Sequence, residues 1–162
     1  MTALACIGLG SNLGDRAAHL RRALAALAAT AGIEIVATSS VYETDPIGPP
    51  PQGPYLNAAA TLRTTLAPRA LLERLLAIEA AAGRVRGGER NAARTLDLDL
   101  LLYGALHLDE PGLTVPHPRL HERAFVLEPL AEIAGELVHP VLGASVATLA
   151  ARVRDGAAVR RL

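Results

Sequence analysis

The sequence predicts an α+β fold of the ferredoxin-like sandwich type, and three observations predict it. Hydrophobic periodicities of two and of 3.6 residues succeed one another as strand, helix, strand, strand, helix, strand, the split βαβ order. The chain has 162 residues, of which 51% are hydrophobic, enough for one buried core. No internal repeat and no linker interrupts it, so residues 1–162 are expected to form a single domain. Such a chain should build a mostly antiparallel sheet with helices covering one face.

Residues 3–9 are an apolar run read as a buried strand. Asp15 is placed to cap a helix whose apolar positions are Leu20, Ala23, Leu24, Leu27 and Ala31, and Gly32 ends it. Residues 33–42 are rich in β-branched side chains and read as the second strand. Residues 45–54 hold five prolines and two glycines, which excludes regular structure there. Residues 55–66 form the third strand, with Leu56, Ala58, Ala60 and Leu62 on one face. Pro68 opens the next helix, which carries Leu71, Leu72, Leu75, Ile78 and Glu79, and Gly83 closes it. A polar loop spans 84–94, and residues 95–103 form the fourth strand. After a short turn-rich piece, residues 123–134 and 145–153 read as two further helices.

Composition narrows the function. Net charge is zero, which gives no broad surface for nucleic acid. No apolar run reaches the roughly 18 residues of a membrane span, and the start of the chain lacks a signal-peptide pattern, so a cytoplasmic location is expected. The single cysteine, Cys6, falls within an apolar strand and reads as a small buried hydrophobe. Every basic side chain is Arg, so Walker-lysine, kinase-lysine and Schiff-base chemistry are all excluded. Phosphate here must be met by Arg, backbone N–H groups and metal. The run Gly8 to Gly14 is not a dinucleotide fingerprint, because Leu13 occupies the third glycine position.

The chemistry concentrates in four places. In the fourth strand Leu96, Leu98, Leu100 and Leu102 should point one way into the core, and Thr95, Asp97 and Asp99 the other. Two carboxylates ~7 Å apart along a strand suit one or two hard cations shared with substrate. Asp is disfavoured in strands and like charges repel, so a metal site outweighs accidental surface acids. The preceding loop brings Arg84, Arg86, Arg90 and Arg94, whose guanidinium forks match phosphate oxygens. His117 stands between Pro116 and Pro118, with Arg123 and Phe125 just beyond. His19, His107, His121 and His139 have no such context and read as structural or surface groups. The fourth place is the proline-rich segment with Thr44, Pro46 and Ile47, leading to Tyr55 and Asn57. It offers fixed polar groups, a ring and an amide to a planar heterocycle.

These motifs resemble those of the 6-hydroxymethyl-7,8-dihydropterin pyrophosphokinases of folate synthesis. The resemblance covers nearly the whole chain through Gly10-Ser11-Asn12-Leu13, Tyr55-Leu56-Asn57-Ala58, Gly83-Arg84-Val85-Arg86, Arg94-Thr95-Leu96-Asp97-Leu98-Asp99 and Leu113-Thr114-Val115-Pro116-His117. It implies transfer of the pyrophosphoryl unit of ATP to the pterin hydroxymethyl group, with AMP released. It implies two magnesium ions on Asp97 and Asp99, and Arg84 and Arg94 as catalytic arginines. Arg86 and Arg90 would lie on the same loop. His117 and Arg123 would meet the triphosphate, and Glu79, Leu100 and Thr114 would line the nucleotide site. Tyr55 and Phe125 would sandwich the pterin, with Gly10, Thr44, Pro46, Ile47 and Asn57 around it. Only small-molecule partners and a monomer are expected. Some relatives carry Trp, Lys and Tyr where this chain has Asn91, Gly87 and Pro118, which bears on affinity and loop closure. A non-catalytic module of the same fold that binds a small ligand or a partner chain, and an ATP-dependent enzyme acting on another planar alcohol, are the alternative readings.

Overall fold

The computed structural model of the chain describes residues 1–45, 53–83, 95–153 and 159–162. Its elements run β1 (Ala3–Ser11), α1 (Arg16–Ala28), β2 (Ile33–Thr38), β3 (Tyr42–Thr44), β4 (Tyr55–Thr64) and α2 (Pro68–Ala81). They continue with β5 (Asp97–Tyr103), β6 (Leu108–Glu110), β7 (Leu113–Val115), a 3-10 turn (Leu120–Glu122), α3 (Ala124–Ala134), α4 (Val146–Arg152) and β8 (Val159–Arg161). The main sheet has the order β5-β1-β4-β3-β8, with β2 also paired to β4. Every pairing in it is antiparallel. β6 and β7 form a separate hairpin.

Local chemistry sets the helix starts where the sequence places them, whereas α1 ends at Ala28, a turn before the expected Ala31. The Asp15 carboxylate accepts the Ala18 N–H at 3.1 Å and starts α1. Pro68 occupies the first turn of α2, where its missing N–H costs nothing. Ser145 accepts the Thr148 N–H at 3.1 Å and starts α4. Gly32 and Gly83 take positive φ just beyond α1 and α2.

The expected second strand, 33–42, is divided. Ser39 interrupts it: its hydroxyl accepts the Ala59 N–H at 2.8 Å and donates to the Ser40 carbonyl at 2.7 Å. The side chain thus takes over a ladder bond, and pairing to β4 resumes only at Tyr42.

Helices cover both faces of the sheet, not one. On the first face α1 and α2 pack over Ile7, Leu9, Leu56, Ala58, Leu62 and Leu98, with Leu27, Leu71 and Leu75 fully buried between. Each such leucine contributes about 1.5–3 kcal/mol over its exposed state. On the second face α3 and α4 cover Cys6, Ala59, Leu101 and Leu102. This half of the second face is apolar, so it cannot be left to water. Leu102 was expected beside Leu100, but it joins Leu101 on the second face. The β1–β5 register shifts between Cys6 and Ile7, where Leu102 pairs with Cys6 and Leu100 with Ile7. That bulge reverses the alternation of β5.

Candidate active site

The uncovered half of the second face is assembled from alternating residues of β5, β1, β4 and β3. Asp97 lies opposite Gly10, Gly10 opposite Asn57, and Asn57 opposite Tyr42. Asp99 lies opposite Gly8, and Gly8 opposite Ala59. Directly paired residues share a face, so the two partly exposed aspartates and the buried Asn57 project from the same side of the sheet, with Gly8 and Gly10 between them. Strand spacing puts Asp97 and Asn57 about 10 Å apart on this side of the sheet. A β-carbon on Gly10 would lie 3.1 Å from Asn57 Oδ1 and 3.6 Å from Tyr55 Cδ1. Glycine at position 10 therefore keeps the space beside the Tyr55 ring open.

The Asn57 amide is fixed. Its Nδ2 donates to Thr44 Oγ1 at 2.6 Å, and both residues are buried. This orients Oδ1 toward Gly10, as a hydrogen-bond acceptor on a polar edge.

The N-terminal end of α3 borders the aspartates. Glu132, near the other end, anchors the helix: it accepts the Tyr42 hydroxyl at 2.7 Å and the Ser40 N–H at 3.0 Å. Arg123 stands at the N-cap position of α3, and its guanidinium lies 5.6 Å from the centre of the Phe125 ring. Burial and the neighbouring Arg119 lower its proton affinity, and Asp99 and Asp97 oppose that shift. It stays cationic at neutral pH.

His117 completes this edge. Its own N–H donates to the Leu101 carbonyl at 2.9 Å, and its Nδ1 accepts the Arg119 N–H at 3.1 Å. The proton of the neutral ring therefore sits on Nε2, a donor for an anionic oxygen. Burial and then Arg123 push the imidazole down to about 4, against the pull of Asp97. A cation, a neutral donor and two carboxylates thus meet at the end of one strand.

Other expected residues lie elsewhere. Glu79 is only 1% exposed and sits on α2, on the first-face side. Its carboxylate accepts the Leu98 N–H at 2.7 Å. β5 is the outer strand of the sheet, so Glu79 satisfies a donor that has no neighbouring strand. Leu100 is in the first-face core, and Thr114 is on β7, where its hydroxyl is 3.3 Å from Asp109 Oδ1. These three flank the open edge of β5 and do not share the aspartate face. Arg84, Arg86, Arg90, Arg94, Pro46 and Ile47 lie outside the described residues.

Gly8 was not singled out from the sequence, although it faces Asp99 as Gly10 faces Asp97. Only the register reveals that role. A groove of about 710 Å³ between α1 and α2, bordered by His19, Arg22 and Arg74 and reaching Leu96, opens on the first-face side of the sheet, opposite to the face that carries the aspartates.

The donor set fits magnesium. Asp97 and Asp99 are partly exposed carboxylates on one face, with no side chain opposite either on β1. Magnesium is typically held by one or two carboxylates, with water and substrate phosphate oxygens completing its shell. Arg123 and His117 border the same surface and match the anionic charge of such a substrate.

Among the described residues, no helix is long and apolar enough to cross a membrane. The family model described as 7,8-dihydro-6-hydroxymethylpterin-pyrophosphokinase matches residues 6–135. A relative from Methylorubrum extorquens named 2-amino-4-hydroxy-6-hydroxymethyldihydropteridine pyrophosphokinase is 51% identical over 134 residues, 83% of this chain and 84% of its own. A Synechocystis protein of the same name is 47% identical over 149 residues, 92% of this chain and 75% of its own. Among solved structures, a Plasmodium falciparum HPPK-DHPS chain with pteroate superposes with a TM-score of 0.73 at 14% identity. That match covers 94% of this chain and 43% of the longer one, and it shows the fold alone. From the extent of the family match and the identity to these relatives, the chain belongs to the 7,8-dihydro-6-hydroxymethylpterin-pyrophosphokinase family.

Proposed function

We propose that Asp97, Asp99, His117 and Arg123 carry out the reaction of this family on the open half of the second face, with Tyr55, Asn57, Thr44, Gly10 and Phe125 receiving the pterin. The chain is an ATP-dependent diphosphotransferase of folate biosynthesis. It moves the pyrophosphoryl group of ATP to the hydroxymethyl group of 6-hydroxymethyl-7,8-dihydropterin. The observation that carries the site assignment is the cross-strand row Asp97, Gly10, Asn57. It sets a carboxylate and a fixed amide about 10 Å apart on one side of the sheet.

In the transfer, the pterin hydroxymethyl oxygen forms a bond to the β-phosphorus of ATP. The bond from that phosphorus to the oxygen bridging it to the α-phosphorus breaks. AMP leaves, and the hydroxyl proton is lost to a nearby base, either Asp97 or Asp99. Asp97 and Asp99 would hold two magnesium ions, which when bound neutralise triphosphate charge. The cationic Arg123 and the Nε2–H of His117 bind phosphate oxygens and keep them oriented. Arg84 and Arg94, with Arg86 and Arg90, add guanidinium groups from the loop that leads into β5. Asn57 and Thr44 recognise the polar edge of the pterin, while the Tyr55 and Phe125 rings take its faces. Glu79 holds the backbone between the two aspartates, and Leu100 and Thr114 contact the nucleoside along the edge of β5. Residues 1–162 act as one monomeric domain in the cytoplasm, on small molecules and without nucleic acid.

The test is incubation with ATP, magnesium and 6-hydroxymethyl-7,8-dihydropterin. AMP and pterin diphosphate are expected in equal amounts, and no AMP without the pterin. Absence of AMP from the complete mixture rejects the reading.

A further inference from the structure

We propose that Arg160, on the C-terminal strand β8, is a positioning residue for the pterin, acting through the ion network that fixes the end of β3. The proposal rests on the assignment of Thr44, Asn57 and Tyr55 to the pterin.

Thr44 lies between two strands. It pairs with Tyr55 on β4 on one side and with Val159 on β8 on the other. Its neighbours Glu43 and Asp45 are held by one guanidinium. Arg160 reaches Glu43 Oε1 at 3.2 Å and Asp45 Oδ1 at 3.1 Å through the same nitrogen, and Asp45 Oδ2 at 3.4 Å through the other. Residues 43 and 45 point to the same side of a strand, and residue 44 to the opposite side. The clamp therefore fixes the rotation of β3 about its own axis. That rotation sets the aim of the Thr44 hydroxyl, which in turn holds the Asn57 amide.

The same network continues from Glu43. Arg16 Nη1 is 3.3 Å from Glu43 Oε2 and 2.8 Å from the Pro54 carbonyl. Asn12 Nδ2 is 3.4 Å from the Gly53 carbonyl. Asp45 and Gly53 are the described residues on either side of segment 46–52, so both approaches to it are tied down. A single exposed ion pair contributes little. Here one guanidinium bridges two carboxylates on either side of a site residue, and a second guanidinium shares one of them. The Leu162 N–H donation to the Val41 carbonyl, at 2.9 Å, extends the attachment of the chain end along β3. Glu43, Thr44 and Asp45 lie within residues 6–135, but Arg160 on β8 lies beyond them, so the guanidinium that clamps them is outside what the family model matches.

The experiment compares the wild-type chain with Arg160→Ala and Arg160→Lys. Pterin KM, kcat, Mg·ATP affinity by calorimetry and melting temperature are measured for each. Wild-type turnover comes first: if it makes no AMP from the pterin, the functional reading fails, whatever Arg160 does. With an active wild type, Arg160→Ala is expected to raise pterin KM roughly three- to tenfold and leave Mg·ATP affinity within about twofold. Arg160→Lys, which keeps the charge but not the fork, should recover part of the loss. An unchanged pterin KM overturns the proposal. So does a parallel weakening of pterin and nucleotide with a lowered melting temperature, because that marks a general structural role.

Discussion

The two faces of the sheet are made by the same strands and do opposite work. On the first face β1, β4 and β5 present Ile7, Leu9, Leu56, Ala58, Leu62 and Leu98, and α1 and α2 seal them completely. On the second face the same strands present Cys6, Ala59 and Leu101 under α3 at one end, and Gly8, Gly10, Asn57, Asp97 and Asp99 at the other. Strand parity thus divides one segment, Leu96 to Leu100, into packing and chemistry at alternate residues. The first face should respond to substitution by losing stability, and the open half of the second by losing turnover.

The largest effect should come from Asp97→Ala and Asp99→Ala. Each is expected to reduce kcat by at least about a hundredfold, the scale of removing one group that stabilises transition-state charge. Each should cost less stability than truncation of a core leucine, because neither side chain is part of the core. Leu62→Ala, from the first face, should do the reverse and cost about 2–5 kcal/mol of stability. Urea unfolding and AMP release, measured on the same samples, check both halves. If the aspartate variants keep near-native turnover, the division of labour between the faces is wrong.

Next comes Gly10→Ala. A β-carbon there meets Asn57 Oδ1 at 3.1 Å and the Tyr55 ring at 3.6 Å. Pterin KM is expected to rise about tenfold, and Mg·ATP affinity to hold, because the added methyl intrudes on the pterin side of the row. Equal weakening of both ligands would mean that this side of the sheet is not divided as its register indicates.

Glu79 joins the two faces. Glu79→Ala leaves the buried Leu98 N–H without its carboxylate partner and should cost about 1–3 kcal/mol. It should also lower kcat, since Leu98 lies between the aspartates. Glu79→Gln retains an acceptor oxygen and should recover much of both losses. A stability loss with full kcat would confine Glu79 to the first face.

Much of this was legible in the sequence, for definite reasons. Asp15, Pro68 and Ser145 announce helix starts through local chemistry, and the alternation at 96–99 places both aspartates on one face. The bulge was not legible, because Leu100, Leu101 and Leu102 are apolar at either parity, so alternation carries no information there. The use of both faces by helices depends on how α3 returns across the sheet, which no local periodicity records. Gly8 and Gly10 opposite the aspartates require the register. The bonds of Arg160 to Glu43 and Asp45 span more than a hundred residues, with separations of 117 and 115. No spacing rule reaches that far.

The smallest effect concerns the cover of the second face. The turn between α3 and α4 is held by His139, whose Nδ1 accepts the Val141 N–H at 3.2 Å and the Leu142 N–H at 3.0 Å. Protonation would end both bonds. Burial, then the charges of His121 and His107, hold the proton affinity of His139 below the usual histidine value of 6.5. The folded chain therefore binds this proton less readily than the unfolded chain. The contribution of His139 to stability is complete above pH 6.5, and it falls as acid protonates the unfolded state through that value. Melting temperature should decrease from pH 7.5 to 5.5, and His139→Asn should make the decrease shallower. Amide exchange across the same range should speed up in α4 before it does in β1, since α4 is joined to the sheet through this turn and β1 lies at its centre. If β1 loosens first, the two faces are not separable in stability, and the contrast between them holds for chemistry alone.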